Sequence, residues 1–147
     1  MADDGPVEYG KAGSWEGFCS GSGIVKLARL RTPEVWGPQV TTHEIVQSAL
    51  KGDPQAVELI TEVGHWLGKG LAALVDILNP DVIVIGTLGV VLGDLVLEPA
   101  RVVLRQEALP ITANACRVVP AKLGSSLMDI GCLMAALDAH RNGRLKV

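Results

Sequence analysis

Aromatic side chains are scarce in this chain: its 147 residues hold three Trp, one Tyr and one Phe. The core must therefore be aliphatic, and there is little stacking surface for nucleic-acid bases. An excess of positive charge is lacking too. A formal charge of −3 and a pI near 5.5 argue against general nucleic-acid binding. Cysteine is limited to Cys19, Cys116 and Cys132, far apart and without CxxC spacing. That usage argues against a disulfide framework and a zinc site, and for a reducing compartment. The acidic start, Met1-Ala2-Asp3-Asp4-Gly5-Pro6, has no apolar stretch of the kind a signal peptide needs. No run approaches the ~20 apolar residues of a membrane span. The expectation is a cytoplasmic protein with no membrane partner.

What the chain does have is apolar content, 48% against 20% charged residues, which marks a globular domain with one core. There are no internal repeats and no low-complexity tract. Residues 1–13 are polar and glycine-rich and read as loop. Trp15–Cys19 suits a helical turn, Ser20-Gly21-Ser22-Gly23 an interruption, and Ile24–Leu30 a resumed helix. Thr32–Val40, with two prolines and a glycine, reads as a connector. Thr41-Thr42-His43-Glu44 has capping-box spacing, which predicts a helix running to Gly52.

Asp53-Pro54 opens the strongest element, since Asp caps and Pro suits the first helical position. Val57, Ile60, Gly64, Leu67, Leu71, Leu74 and Leu78 then form one helix face. Gly64, Gly68 and Gly70 each cost roughly 1 kcal/mol against Ala in a helix interior, so something packs very close there. Asn79-Pro80 ends the helix. The apolar strand Val82–Ile85 runs into the glycine turn Gly86-Thr87-Leu88-Gly89, the place where α/β proteins put ligands. Asp94–Ala108 reads as helix, with Pro99 starting a second part, and Arg117–Val119 as a second strand. Ser125–His140 reads as a closing helix with Ile130, Leu133, Met134 and Leu137 inward, followed by a polar tail, 141–147. Both strands are apolar on successive residues, as in a sheet covered on both faces. Two short strands alone do not make a stable sheet, so either strands are hidden or the chain is part of a larger fold.

The order of the motifs resembles the ROK family (repressors, open reading frames and sugar kinases). Gly13-Ser14-Trp15-Glu16-Gly17-Phe18-Cys19-Ser20-Gly21 is similar to that family's G-C-x-E-x-x-x-S-G. Gly52-Asp53, Leu67–Ala72, Asn79–Gly86 and Ala121-Lys122-Leu123-Gly124 follow in the family's order, and the resemblance covers about residues 7–139. It implies an α/β fold: part of the C-terminal lobe, at residues 14–140, of an actin-like, ribonuclease-H-like ATPase, helix-rich with few core strands.

The same resemblance implies roles. Glu16 matches a glutamate that accepts hydrogen bonds from sugar hydroxyls, and Gly86, Thr87, Leu88 and Gly89 match an adenosine-binding loop, although the family more often has consecutive glycines there. As plain residues, Glu16 also reads as a solvated helix charge and the glycines as a strand-to-helix turn. The family's zinc knuckle falls on residues 7–14, but its cysteine positions are Val7, Tyr9 and Ser14, so no zinc is expected. The D-x-G-x-T phosphate loop, the catalytic aspartate and the second phosphate loop are not in this chain. It therefore holds no catalytic residue of its own.

The expected function is the C-terminal half of a sugar kinase that uses ATP with Mg to phosphorylate a hexose or N-acetylhexosamine when complete. The alternative is a non-catalytic sugar-sensing and dimerisation domain of a regulator. The expected partners are a second copy or a complementary N-terminal kinase lobe, with the helix 53–78 and the region 15–30 as contact surfaces. His43, His65 and His140 read as surface or partly buried side chains, and the cysteines as small buried hydrophobes.

Overall fold

A computed structural model describes residues 2–144, without the side chains of Ser125 and Leu127; the last three residues of the expected tail lie outside it. Two strands missed in the sequence, β1 (Val7–Glu8) and β2 (Lys11–Ala12), form an antiparallel hairpin. Its turn is Tyr9-Gly10, both at positive φ (48° and 76°), the backbone of a tight two-residue hairpin. This hairpin occupies the stretch that resembles a zinc knuckle.

Ser14 caps α1 (Trp15–Cys19) by accepting the Gly17 N–H at 3.0 Å. Ser20 caps α2 (Gly21–Arg31) in the same way, through the Gly23 N–H at 3.0 Å. The Ser-Gly-Ser-Gly stretch is thus a helix start, with Gly21–Gly23 already inside the helix. Serine's capping oxygen outweighs glycine's low propensity here. The capping box forms as expected between Thr41 and Glu44, and α3 spans Thr42–Leu50.

The long helix α4 (Pro54–Leu78) organises the core. Asp53 caps it through the Ala56 N–H at 2.9 Å, and Asn79 ends it at φ 44°. Ile60, Val63, Leu67, Leu71 and Val75 are buried along its inner face, whereas Leu78, expected there, is exposed. Across that face lies α6 (Asp94–Glu107), one continuous helix in which Pro99 is an interior residue. Pro99 does not start a new segment; its ring takes the space that Gly64 leaves, where a Cβ would meet Pro99 Cβ and the Val96 carbonyl oxygen at 2.8 Å. Gly68 leaves room for the Ala100 carbonyl, and Gly70 for the Trp15 indole. The three glycines make these close contacts inside the chain, in keeping with the expectation that something packs very close there.

Strand β3 (Val82–Ile85) pairs in parallel with β4 (Arg117–Pro120), Val82 opposite Arg117 and Ile85 opposite Pro120. The crossover carries α5 (Thr87–Leu92), α6 and a helix missed in the sequence, α7 (Pro110–Ala115). Pro110 at the first turn and Asp76, which accepts the Leu109 N–H at 3.1 Å, start α7. Among the described residues the sheet is covered on one face only, where both faces were expected to be covered. Ile83 and Ile85 pack against the core, but Val82 and Val84 are exposed. A 3-10 turn, Gly124–Ser126, leads to α8 (Leu127–Arg141). The expected inward residues of α8 are not inward: Leu133, Met134 and Leu137 are exposed and Ile130 is half-buried.

Candidate functional site

The glycine turn after β3 is shorter than the sequence suggests. Only Gly86 is turn; Thr87, Leu88 and Gly89 already belong to α5. Gly89 is buried, and a Cβ there would meet Ile85 Cγ2 at 2.8 Å, so its smallness serves the packing of α5 on β3. Thr87 and Leu88 instead face a cavity of about 430 Å³. Leu88, Val91 and Leu92 of α5 form one wall of it, Thr42, His43 and Val46 of α3 another, and Cys19 and Gly21 contribute from α1 and α2. The cavity is mostly apolar with a few polar groups, and its volume falls within the range of small-molecule sites. Two starts of helices meet at it: the Thr42 hydroxyl donates to the Gly21 carbonyl at 2.7 Å and locks α3 to α2.

The sequence-predicted site residues therefore divide. Thr87 and Leu88 line the cavity; Gly86 and Gly89 set the backbone behind them. Glu16 is exposed on α1 and does not line the cavity, although Cys19, one helical turn on, does. Burial pushes the Cys19 thiol up to about 12, with the Glu16 carboxylate adding to the shift. The thiol donates weakly to the Val63 carbonyl, 3.9 Å away, and is a wall of the cavity in its neutral form. Thr42, His43, Val46, Val91 and Leu92 had no signal in sequence, because they join only when α3 packs beside α5.

The cysteines do not behave alike. Cys19 and Cys116 are half-buried, but Cys132 on α8 is exposed, against the expectation of a buried side chain. Burial also raises the Cys116 thiol. His43 and His65 lie exposed on helices, as read from sequence.

In the stretch that resembles a zinc knuckle, Val7 and Tyr9 are exposed and offer no thiolate, and the Ser14 hydroxyl is engaged as a helix cap. What ties the hairpin down is an ion pair, Glu8 to Lys26 of α2 at 2.9 Å, with Ser22 also donating to Glu8. Those contacts, the Ser22 bond first, hold the Glu8 carboxyl below its usual value.

A sequence profile of the ROK family matches residues 4–139. The chain belongs to the ROK family. Among curated ROK relatives, the DNA-binding transcriptional repressor Mlc of Escherichia coli is 30% identical over 94% of this chain, which spans 35% of that protein. The glucokinase of Streptomyces coelicolor is 33% identical over 63% of this chain and is spanned to 33%. Among solved structures, a ROK glucokinase from Streptomyces griseus, in complex with glucose and AMPPNP, superposes with a TM-score of 0.65 at 28% identity. That match covers 86% of this chain and 48% of the glucokinase. The fold is thus part of the actin-like ATPase fold of ROK sugar kinases, with few strands. The chain spans between a third and half of these ROK proteins, and they include both a kinase and a repressor.

Proposed function

We propose that this chain is the C-terminal lobe of a ROK sugar kinase, carrying the nucleoside side of the active site and one sugar contact. The observation that supports this reading best is the cavity of about 430 Å³ between α3 and α5, with Thr87 and Leu88 on its wall. Leu88, Val91 and Val46 offer an apolar slot for a planar base, and the hydroxyl of Thr87 and the ring of His43 offer polar contacts. Glu16, exposed and within a turn of that wall, is free to accept hydrogen bonds from sugar hydroxyls, a task in which a carboxylate forms strong charge-assisted bonds.

When bound, ATP with Mg would supply the phosphoryl group to be transferred. The residues of this chain hold the nucleoside and orient the sugar. Positioning of the phosphates and removal of the hydroxyl proton need groups that the resemblance places outside this chain, and phosphoryl transfer depends on them. The lobe alone is therefore expected to bind and not to turn over.

Adenosine titration followed by NMR tests this. Shifts should concentrate at Thr87, Leu88, Val91 and Val46, and Leu88→Asp should remove them. Uniform or absent shifts at millimolar adenosine would overturn the reading. One observation favours a regulator instead. Thr87 and Leu88 carry side chains where kinases of this family more often have glycine, and α5 starts at once, which limits close backbone approach to a ligand. Sugar binding that is lost in Glu16→Gln and indifferent to nucleotide would support that second reading.

A further inference from the structure

A second cavity, of about 340 Å³, lies where α6, α7 and β4 meet, and it shares no lining residue with the one between α3 and α5. Part of its lining is aliphatic and buried: Leu104 of α6, Ala113 of α7 and Val118 of β4. The rest carries three guanidiniums, those of Arg101, Arg105 and Arg117, and among the described residues no acidic side chain lines it. Local structure accounts for the gathering. Arg101, Leu104 and Arg105 fall at three- and four-residue steps on one face of α6. The short helix α7 ends at Ala115, so the chain enters β4 at once and Arg117 comes alongside that face.

The three arginines differ in what they already hold. Arg101 is committed. Its Nε and Nη2 donate to the Val118 carbonyl at 3.1 Å and 2.9 Å, and its Nη1 is held by Asp94 at 2.9 Å and Glu98 at 2.5 Å. The Arg117 and Ala121 N–H groups donate to β3, so Val118 between them turns its backbone outward. The Arg101 guanidinium thus takes the acceptor that a further strand would need, and the cavity is no seat for one. Arg105 and Arg117 are exposed, and among the described residues neither has an ion-pair partner. Carboxylates are not in short supply, since the chain has 16 acidic residues against 13 Lys and Arg. Two uncommitted guanidiniums beside one apolar hollow make a surface complementary to an anion with an apolar body.

We propose that this cavity binds a small organic carboxylate, its apolar body against Leu104, Ala113 and Val118 and its carboxylate on Arg105 and Arg117. The planar guanidinium fork matches a carboxylate with paired, charge-assisted hydrogen bonds. The volume stands at the lower end of small-molecule sites, which suits a body of few carbons. A phosphate dianion fits less well. Asp94 and Glu98 flank Arg101, and the Asp81 carboxylate is close enough to act on the Cys116 thiol in the cavity wall. Repulsion from those three carboxylates grows with the charge of the ligand. The site is separate from the nucleoside cavity and does not depend on that reading.

The probes are benzoate, benzamide and inorganic phosphate, titrated into the chain at neutral pH. Binding is followed by amide NMR and by iodoacetamide labelling of Cys116, which lines the cavity. Benzoate should saturate, shift the amides of Ala113, Val118 and Val119, and slow the labelling of Cys116 but not of Cys132. Benzamide lacks the charge and phosphate lacks the apolar body. Each should bind weaker by about tenfold, the scale of a lost charge-assisted hydrogen bond. The double variant Arg105→Met, Arg117→Met should unfold at the parent midpoint and lose benzoate binding by about the same factor. Should that variant fail to fold, the contrast of benzoate with benzamide in the parent chain decides. Equal binding of benzamide would overturn the proposal, since the arginines would then do nothing. Equal binding of phosphate would overturn it too, by showing a positive surface without a pocket. So would benzoate shifts scattered over the chain, or a folded double variant that binds benzoate as the parent does.

Discussion

The Trp15 indole lies in the space that Gly70 leaves open: a Cβ at residue 70 would fall 2.1 Å from its Cε2. This contact pins α1, and with it Glu16 and Cys19, onto α4. Gly68 makes a less yielding contact: a Cβ there would fall 2.5 Å from the Ala100 carbonyl oxygen, which is backbone. Gly68→Ala is expected to destabilise the chain by about 1–3 kcal/mol, the usual cost of overpacking, despite the gain in helix propensity. Gly70→Ala should cost less, because the half-exposed indole can swing outward. Urea unfolding measures both, and a red shift of tryptophan emission in Gly70→Ala alone marks the displaced indole. Equal or reversed costs would contradict the packing described.

Thiol reactivity should rank by burial. Cys132 is expected to react first with iodoacetamide at pH 8, Cys116 next and Cys19 last, read by mass spectrometry of the native chain. Cys19 has its thiol pushed up to about 12 from an ordinary value near 9. The sign follows: its contribution to stability is full below the unfolded value, near 9, and is lost as pH rises toward 12. Cys19→Ala should flatten the alkaline limb of the stability curve. Early labelling of Cys19 would contradict the burial that raises its thiol.

The hairpin should loosen in acid. Glu8 titrates below its ordinary 4.5 because Ser22 and Lys26 favour the carboxylate. A depressed carboxyl stabilises the fold above the unfolded value, and that contribution fades as pH falls through the lower folded value. Protection factors of β1 and β2 amides are expected to fall as pH drops below 4.5 while those of α4 do not. Glu8→Gln should produce the same loosening at neutral pH. No difference between Glu8→Gln and the parent would show that the hairpin rests on its turn alone.

Metal and turnover give two direct checks. The chain dialysed against zinc should retain none by elemental analysis, since Val7 and Tyr9 have no thiolate and Ser14 is a helix cap. A coupled assay with ATP and a panel of hexoses should show no sugar-dependent turnover. Turnover that Glu16→Gln abolishes would overturn the assignment of catalysis to groups outside this chain.

Arg101 gives a further check on the sheet. Arg101→Met keeps the apolar stem and removes the donors to Val118. The expected loss is about 1–3 kcal/mol, as for hydrogen bonds to a charged group, with faster exchange in β4. An unchanged midpoint would mean that α6 holds β4 by packing alone.

Elements whose signals lie among neighbouring residues are legible from the chain alone. Asp53-Pro54 and Asn79-Pro80 mark both ends of α4, the Thr41–Glu44 box marks the start of α3, and the apolar run 82–85 marks β3. Motif order likewise points to the family, because it depends on identity and spacing. Features that depend on residues far apart in the chain emerge only once the helices pack. Gly64 and Pro99 look like two helix breakers, and only their contact reveals one continuous α6 fitted against α4. Ser20 and Gly21–Gly23 look like a break until the cap bond forms. The cavity joins α3 to α5 across some forty residues, so no spacing rule finds His43 beside Leu88. The alternation of cover on β3 is likewise invisible in four successive apolar residues: the sequence says the strand wants burial on both faces, and only the fold shows which face is still open.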